Sequence, residues 1–276
     1  MTATVTPSVE TTSMTNGLVD YRVEKGVAVI EMNDPPANTY THEMMRDLDE
    51  AFLKARFDDG VHVIVIRGSG DKFFSAGANI KMLNTVSPQF KYYFCLHANE
   101  TLNRLEHTPK LVIAAINGHC VGGGLEIAMA ADIRIAKKGG GKCGLPEVNL
   151  GVLAGTGGTQ RLVRLVGNKA TAIEMMVTGR TFEFEEAKSH GLVNDIYPAD
   201  GFFEKVMEYA RQFVPPNKAS RAVGRIKRSV QSGCEIPFES ALALERELQQ
   251  QLFQSEDAKE GIAAYVNKKT ASFAGK

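Results

Sequence analysis

Two glutamates stand among glycine-rich turns. Glu126 follows the triple glycine Gly122-Gly123-Gly124, and Glu147 lies 21 residues further on, in Gly144-Leu145-Pro146-Glu147. A second glycine-rich turn, Gly155-Thr156-Gly157-Gly158-Thr159-Gln160-Arg161, comes next, and an earlier small-residue stretch reads Phe74-Ser75-Ala76-Gly77-Ala78. Glycine lets backbone approach a ligand closely and leaves N–H groups free to donate. Tight turns at Ala76-Gly77-Ala78 and Gly122-Gly123-Gly124 can each offer an N–H to a developing oxyanion. One such donor is typically worth about 3 kcal/mol of barrier, and a helix dipole behind the second turn adds to it. Two carboxylates near apolar walls can hold different protonation states, which suits acid–base work. Either half alone reads as tight turns in a packed core with ordinary surface glutamates. The combination points to a reaction site.

Other chemistries find little support. Gly68-Ser69-Gly70 lacks the third glycine of a dinucleotide fingerprint, and Gly155-Thr156-Gly157-Gly158 lacks the lysine–serine ending of a phosphate loop. There is no GxSxG elbow. The histidines His42, His62, His97, His107, His119 and His190 show no metal-binding spacing. The cysteines Cys95, Cys120, Cys143 and Cys234 form no CxxC pair, which suits free thiols in a reducing compartment. A formal net charge of 0 gives no global field for nucleic acid or an anionic membrane.

The elements that must position these residues are legible as alternating patterns. Residues 19–32 carry a strand signal, and Asn33-Asp34-Pro35-Pro36 stops it. Residues 41–56 show helical spacing with Thr41 as the N-cap. Apolar runs at 61–66 and 111–116 read as strands buried on both faces. Between them, 73–80 reads as a loop and 88–107 as a helix. A short helix at 122–130 and a strand at 132–136 follow. The succession predicts an α/β sheet with right-handed crossovers. Beyond Gly158 the pattern is mostly helical, at 160–166, 169–177, 183–190, 201–213, 218–229, 238–254 and 257–268, with a possible strand at 192–196.

At 276 residues, 43% hydrophobic and 23% charged, the chain has the make-up of a soluble globular protein with one large domain and an appendage. No apolar run approaches the ~18 residues of a membrane span. Residues 1–17, rich in Thr and Ser, read as a disordered tail without signal or presequence character. Residues 18–214 form the expected core and 215–276 the helical C-terminal region, with Pro215-Pro216 as the boundary.

Four stretches carry a resemblance. Phe74-Ser75-Ala76-Gly77-Ala78-Asn79-Ile80-Lys81, Asn117 through Glu126, Leu145-Pro146-Glu147-Val148-Asn149-Leu150-Gly151 and Gly157 through Leu162 look like the crotonase (enoyl-CoA hydratase/isomerase) superfamily. The C-terminal stretch from Glu260 through Phe273 resembles the family's last helix, so the similarity covers residues 17–276. It implies an α/β fold, a crotonase-like spiral of ββα repeats, with a C-terminal helical trimerisation region and a homo-oligomer, a trimer or dimer of trimers. It implies an acyl-CoA thioester whose carbonyl sits between the N–H groups of Ala78 and Gly123. Ala76 would lie beside the adenine with Gly77 and Ile80 in the same binding stretch, Lys81 would meet a CoA phosphate, and Phe273 would reach a neighbouring subunit's CoA. No cofactor is expected beyond the coenzyme A of the substrate, and the expected location is cytoplasmic.

In the family, acidic residues at both positions matching Glu126 and Glu147 favour hydration of a 2-enoyl-CoA. Glu126 would deprotonate a water that attacks the β-carbon and Glu147 would give a proton to the α-carbon, although both could share one water. Two departures are expected to bear on substrate preference: the glycine-rich Lys138-Gly139-Gly140-Gly141-Lys142, and Ala154 where many hydratases have proline. Met82, Leu83 and the run Phe90-Lys91-Tyr92-Tyr93-Phe94 would shape the acyl end, if they are not helix core. An isomerase or another reaction through the same enolate, such as decarboxylation, is the enzymatic alternative. RNA binding through Arg221, Arg225, Lys227 and Arg228 is the non-enzymatic one, with a solvated helix face or subunit contact the plainer reading of that run.

Overall fold

The computed structural model describes residues 10–276. The strands are β1 (Thr12–Ser13), β2 (Val19–Glu24), β3 (Val27–Met32), β4 (Val63–Gly68), β5 (Phe73–Ser75), β6 (Leu111–Ile116), β7 (His119–Val121), β8 (Ile133–Lys137), β9 (Lys142–Gly144), β10 (Phe182–Glu183) and β11 (Asp195–Tyr197). The helices are α1 (His42–Phe57), α2 (Ile80–Leu83), α3 (Pro88–Glu106), α4 (Gly123–Met129), α5 (Gly158–Val166), α6 (Lys169–Val177), α7 (Phe184–Ser189), α8 (Phe202–Arg211), α9 (Ser220–Gly233), α10 (Phe238–Phe253) and α11 (Glu256–Val266).

A seven-stranded sheet runs β1-β2-β3-β4-β6-β8-β11, antiparallel through β3 and parallel from there on. A four-stranded sheet runs β10-β9-β7-β5. The chain alternates between them. Each of β4, β6 and β8 in the large sheet is followed by a short strand in the small one (β5, β7, β9) and then by helix, which is the expected spiral of ββα units. The sequence reading takes β5 for a loop and does not find β7, β9 or β10. Strands of two or three residues are too short to display a period.

The continuous apolar runs have a clear cause. Odd-numbered residues of the large sheet (Val27, Val29, Val63, Val65, Ile113, Ala115) pack against Phe202, Val206 and Met207 of α8. Even-numbered ones (Ala28, Ile30, Ile64, Ile66, Val112, Ala114, Ile116) face the main core with α1, α3 and the small sheet. Both faces being covered, neither can be polar. The single strand expected over 19–32 is a hairpin instead. Lys25 and Gly26 take φ of 49° and 79° at its turn, the left-handed pair that a two-residue hairpin loop requires.

The expected disordered tail needs correction in its described part. Thr12 and Ser13 pair with Tyr21 and Asp20 of β2, and Met14 is buried. Buried Asp47 on α1 accepts from the N–H groups of Asn16 (2.9 Å) and Leu18 (2.9 Å), so one carboxylate ties this segment to the core. Residues 1–9 of the expected tail lie outside the described residues.

The Pro215-Pro216 boundary falls in the turn between α8 and α9. Helix α9 packs on the core beyond it. Lys227 is buried and pairs with Asp132 at 2.9 Å. Lys227 is therefore not part of an exposed basic patch, which removes one of the four cations from the RNA-binding alternative. Among the described residues, no helix is long and apolar enough to cross a membrane.

Candidate active site

Two buried asparagines splice the sheets where the chain crosses between them. Asn117, after β6, donates to the Gly68 (3.0 Å) and Gly70 (2.7 Å) carbonyls and accepts from the Gly68 N–H. Asn38 donates to the Ser69 carbonyl at 2.9 Å and the Phe73 carbonyl at 3.1 Å. The Ser75 hydroxyl donates to the Asn38 carbonyl and accepts from the Gly77 N–H. These bonds set where β5 ends and its loop begins.

That loop and the one after β7 meet. Gly77 has φ of 84°, and a Cβ there would lie 2.7 Å from the Gly123 nitrogen. Gly122 has φ of 55°, and the chain turns there into α4. A Cβ at Gly124 would lie 2.3 Å from the Ser75 carbonyl oxygen. Tyr40 makes an isolated parallel bridge to Ala78, donating to the Gly77 carbonyl (3.0 Å) and accepting from the Asn79 N–H (3.0 Å). In such a bridge the central residue of the partner segment points its own N–H the other way. The Ala78 and Gly123 N–H groups have no acceptor among the described residues, and both residues line one cavity of about 460 Å³.

Glu126 and Glu147 line the same cavity. Glu126 lies in the first turn of α4 and is 2% exposed. Its Oε1 accepts the Thr156 and Gly158 N–H groups, each at 2.7 Å. Burial raises its carboxyl above the ordinary value, while those two N–H groups, the Thr156 hydroxyl and the Lys91 charge pull it back down. Glu147 opens a 3-10 turn, Glu147–Leu150, closed by Gly151 in the left-handed region. Its Oε2 is buried with no hydrogen-bond partner among the described residues. Its carboxyl is pushed up to about 7, chiefly by burial and further by the Glu126 charge, against its own backbone N–H and Lys91. Both carboxyls are thus raised by burial, but fixed N–H donors offset the rise at Glu126, while Glu147 Oε2 has no such donor among the described residues. Two strands, β8 and β9, separate the glutamates in sequence and return the chain to the same cavity.

Of the other residues expected at the site, Ala76 and Ile80 line the cavity. Gly77 is buried behind the loop. Lys81 is exposed on α2, outside the lining. Phe273 packs on its own chain: its N–H donates to the Pro216 carbonyl at 3.1 Å, and its ring lies against Gly261. Of the residues expected at the acyl end, Leu83 and Lys91 line the cavity, whereas Phe94 is core beneath Tyr40. The Lys138–Lys142 turn does not flank the cavity. Gly141, at φ of 150°, packs against His119 instead. Ala154 lines an adjoining apolar pocket of about 220 Å³, with Glu147, Val152 and Leu153 shared between the two spaces.

Sequence reasoning missed Tyr40 and gave Thr156 no role. Tyr40 lies 86 positions from Glu126, in a segment whose spacing signals only a helix start. Thr156 sits in a turn whose sequence signal is its glycines.

Comparison with known proteins adds a second line of support. The family model described as enoyl-CoA hydratase/isomerase matches residues 22–276. A "probable enoyl-CoA hydratase" of Bacillus subtilis is 36% identical over 259 residues, 93% of this chain and 98% of the relative. A "short-chain-enoyl-CoA hydratase" of Clostridium acetobutylicum is 36% identical over 250 residues, 89% of this chain and 93% of the relative. A crystal structure of an enoyl-CoA hydratase from Geobacillus kaustophilus superposes with a TM-score of 0.93 at 42% identity, covering 98% of this chain and 100% of that one.

Proposed function

The chain belongs to the enoyl-CoA hydratase/isomerase family, and we propose that it is an enoyl-CoA hydratase, a hydro-lyase that adds water reversibly to a 2-enoyl-CoA to give a 3-hydroxyacyl-CoA. The observation that carries this reading is the asymmetric pair of glutamates in one cavity with two N–H groups that have no acceptor among the described residues. The thioester oxygen accepts from Ala78 and Gly123, which withdraws electrons from the conjugated β-carbon. Glu126, ionised, takes a proton from water while the water oxygen bonds to the β-carbon. The C=C electrons move towards the carbonyl, giving an enolate whose charge rests on the two N–H groups. Glu147, protonated, delivers its proton to the α-carbon, and both transfers occur on one face of the double bond, which is syn addition. The reverse sequence is dehydration.

The substrate's CoA would run past Ala76 and Ile80 towards Lys81, and its acyl end towards Leu83 and Lys91. The steps are one addition of water oxygen to carbon and two proton transfers, with no net oxidation or reduction, so the reading calls for no cofactor beyond coenzyme A itself. A cytoplasmic homo-oligomer is the setting it expects.

Crotonyl-CoA tests the reading through loss of the conjugated-thioester absorbance. Rapid loss is expected, with Glu126→Gln and Glu147→Gln each slower by about 10²–10⁴-fold, the usual worth of a positioned acid or base. Near-parental rates in both variants would end the two-carboxylate mechanism. Conversion of a 3-enoyl-CoA to the 2-enoyl isomer, with no hydration, would favour the isomerase reading.

A further inference from the structure

Tyr40 joins the three parts of the site that the reaction requires to be in register. Its backbone holds the first N–H loop through the two 3.0 Å bonds to Gly77 and Asn79. Its ring fills the space that a side chain at Gly123 would need: a Cβ there would lie 2.2 Å from Tyr40 Cε1 and 2.7 Å from its hydroxyl oxygen. Its hydroxyl lies 2.8 Å from the Thr156 hydroxyl, and the Thr156 N–H donates to Glu126. The ring is fixed from below by stacking on Phe94, with centroids 5.3 Å apart and planes 15° apart, and Tyr40 is 1% exposed.

We propose that Tyr40 is the positioning residue of this site, setting both oxyanion donors from its backbone and ring and orienting the Glu126 carboxylate through Thr156. The proposal rests on the hydratase reading above. In the hydratase reading Glu126 is ionised, and an ionised carboxylate only accepts hydrogen bonds. With Tyr40 as the donor to Thr156, the Thr156 hydroxyl proton is free to face Glu126, whose carboxyl that hydroxyl lowers. A chain of donors of this kind is mutually polarising. Burial, with the Glu126 charge next, raises the Tyr40 phenol well above its ordinary value, which keeps it a neutral donor throughout the working range.

The test separates ring from hydroxyl. Tyr40→Phe keeps the ring and backbone and removes one hydrogen bond. It is expected to lower kcat by about five- to tenfold, the scale of one such bond. KM should stay within about twofold, and the acid limb of the pH–rate profile should move to higher pH because Glu126 loses support. Tyr40→Leu keeps an apolar side chain but removes the ring that fills the space under Gly123. It is expected to lower kcat by about 10²-fold or more, as losing one oxyanion donor does.

A direct readout uses acetoacetyl-CoA, whose bound enolate has its own ultraviolet band. That band should weaken in Tyr40→Leu while acetoacetyl-CoA still binds. An unchanged pH profile in Tyr40→Phe, or an unchanged enolate fraction in Tyr40→Leu, overturns the proposal even if melting temperature falls. The enolate band reports how well the two N–H groups hold the anion that remains once acetoacetyl-CoA has lost its acidic C–H proton, and it requires no addition of water. A parental protein that shows it but does not hydrate crotonyl-CoA refutes the hydratase reading and leaves the positioning role measurable.

Discussion

Glu126 and Glu147 are the same side chain in unlike surroundings, and their titration should show it. Glu147 has its carboxyl raised from 4.5 to about 7, so it binds its proton more tightly folded than unfolded. Its contribution to stability is therefore present at low pH and is lost as pH rises from about 4.5 to about 7. Glu147→Gln cannot ionise and escapes that loss. Its melting temperature should match the parent below pH 4.5 and exceed it at pH 8, which calorimetry across pH checks. The same raised carboxyl should place the alkaline limb of kcat/KM near pH 7 in the free enzyme. The limbs belong to the coupled pair rather than to either glutamate alone. Lys91 lines the cavity and lowers both carboxyls by its charge. In Lys91→Met both limbs should therefore move to higher pH. Limbs that stay in place would show that the Lys91 charge does not reach the pair.

At the scale of elements, α4 is the piece with least freedom. All seven of its residues are buried, and it starts at the junction of the two loops. A Cβ at Gly124 would press on the Ser75 backbone carbonyl, which cannot swing aside as a side chain can. Gly124→Ala should cost about 1–3 kcal/mol, the range of core overpacking, or more, and should lower activity by parting the two N–H loops. Gly70 makes the control: its φ is 74°, and nothing stands within 4 Å of a Cβ there. Asparagine tolerates that backbone region, so Gly70→Asn should leave both denaturant midpoint and rate near parental. Equal damage from both substitutions would refute the packing argument. The long elements were legible from their period: α6 is found where the spacing puts it, and Thr41 does cap α1, accepting from the Met44 N–H. The small sheet was not: β5, β7 and β9 have three residues each, too few to show a period, and β5 is held by Asn38 and Asn117 reaching its Phe73 carbonyl from other parts of the chain.

At the scale of the whole molecule, the C-terminal helices leave apolar side chains uncovered. Ile226 and Val230 on α9 and Phe253 on α10 are each more than 60% exposed, and they border a groove between those helices. Uncovered apolar patches mark interaction surfaces, and the resemblance makes a further copy of the chain the expected partner. Light scattering should give three or six times the 30.0 kDa chain mass, and Ile226→Asp should shift the population towards smaller species. A monomeric parent would set the family's usual assembly aside for this chain.

Residue pattern alone settles the α/β class, the order of the long elements and the two glutamates. Hydrophobic period and residue chemistry are local properties that survive without coordinates. Its motifs also carried the family resemblance. The folded arrangement was needed to see that Glu126 is held by Thr156 and Gly158 while Glu147 Oε2 has no partner among the described residues, because protonation depends on what lies across the cavity, not on what adjoins in the chain. Tyr40 belongs to the same class: its wedge under Gly123 and its bond to Thr156 join positions 83 and 116 residues away, separations that no sequence period records.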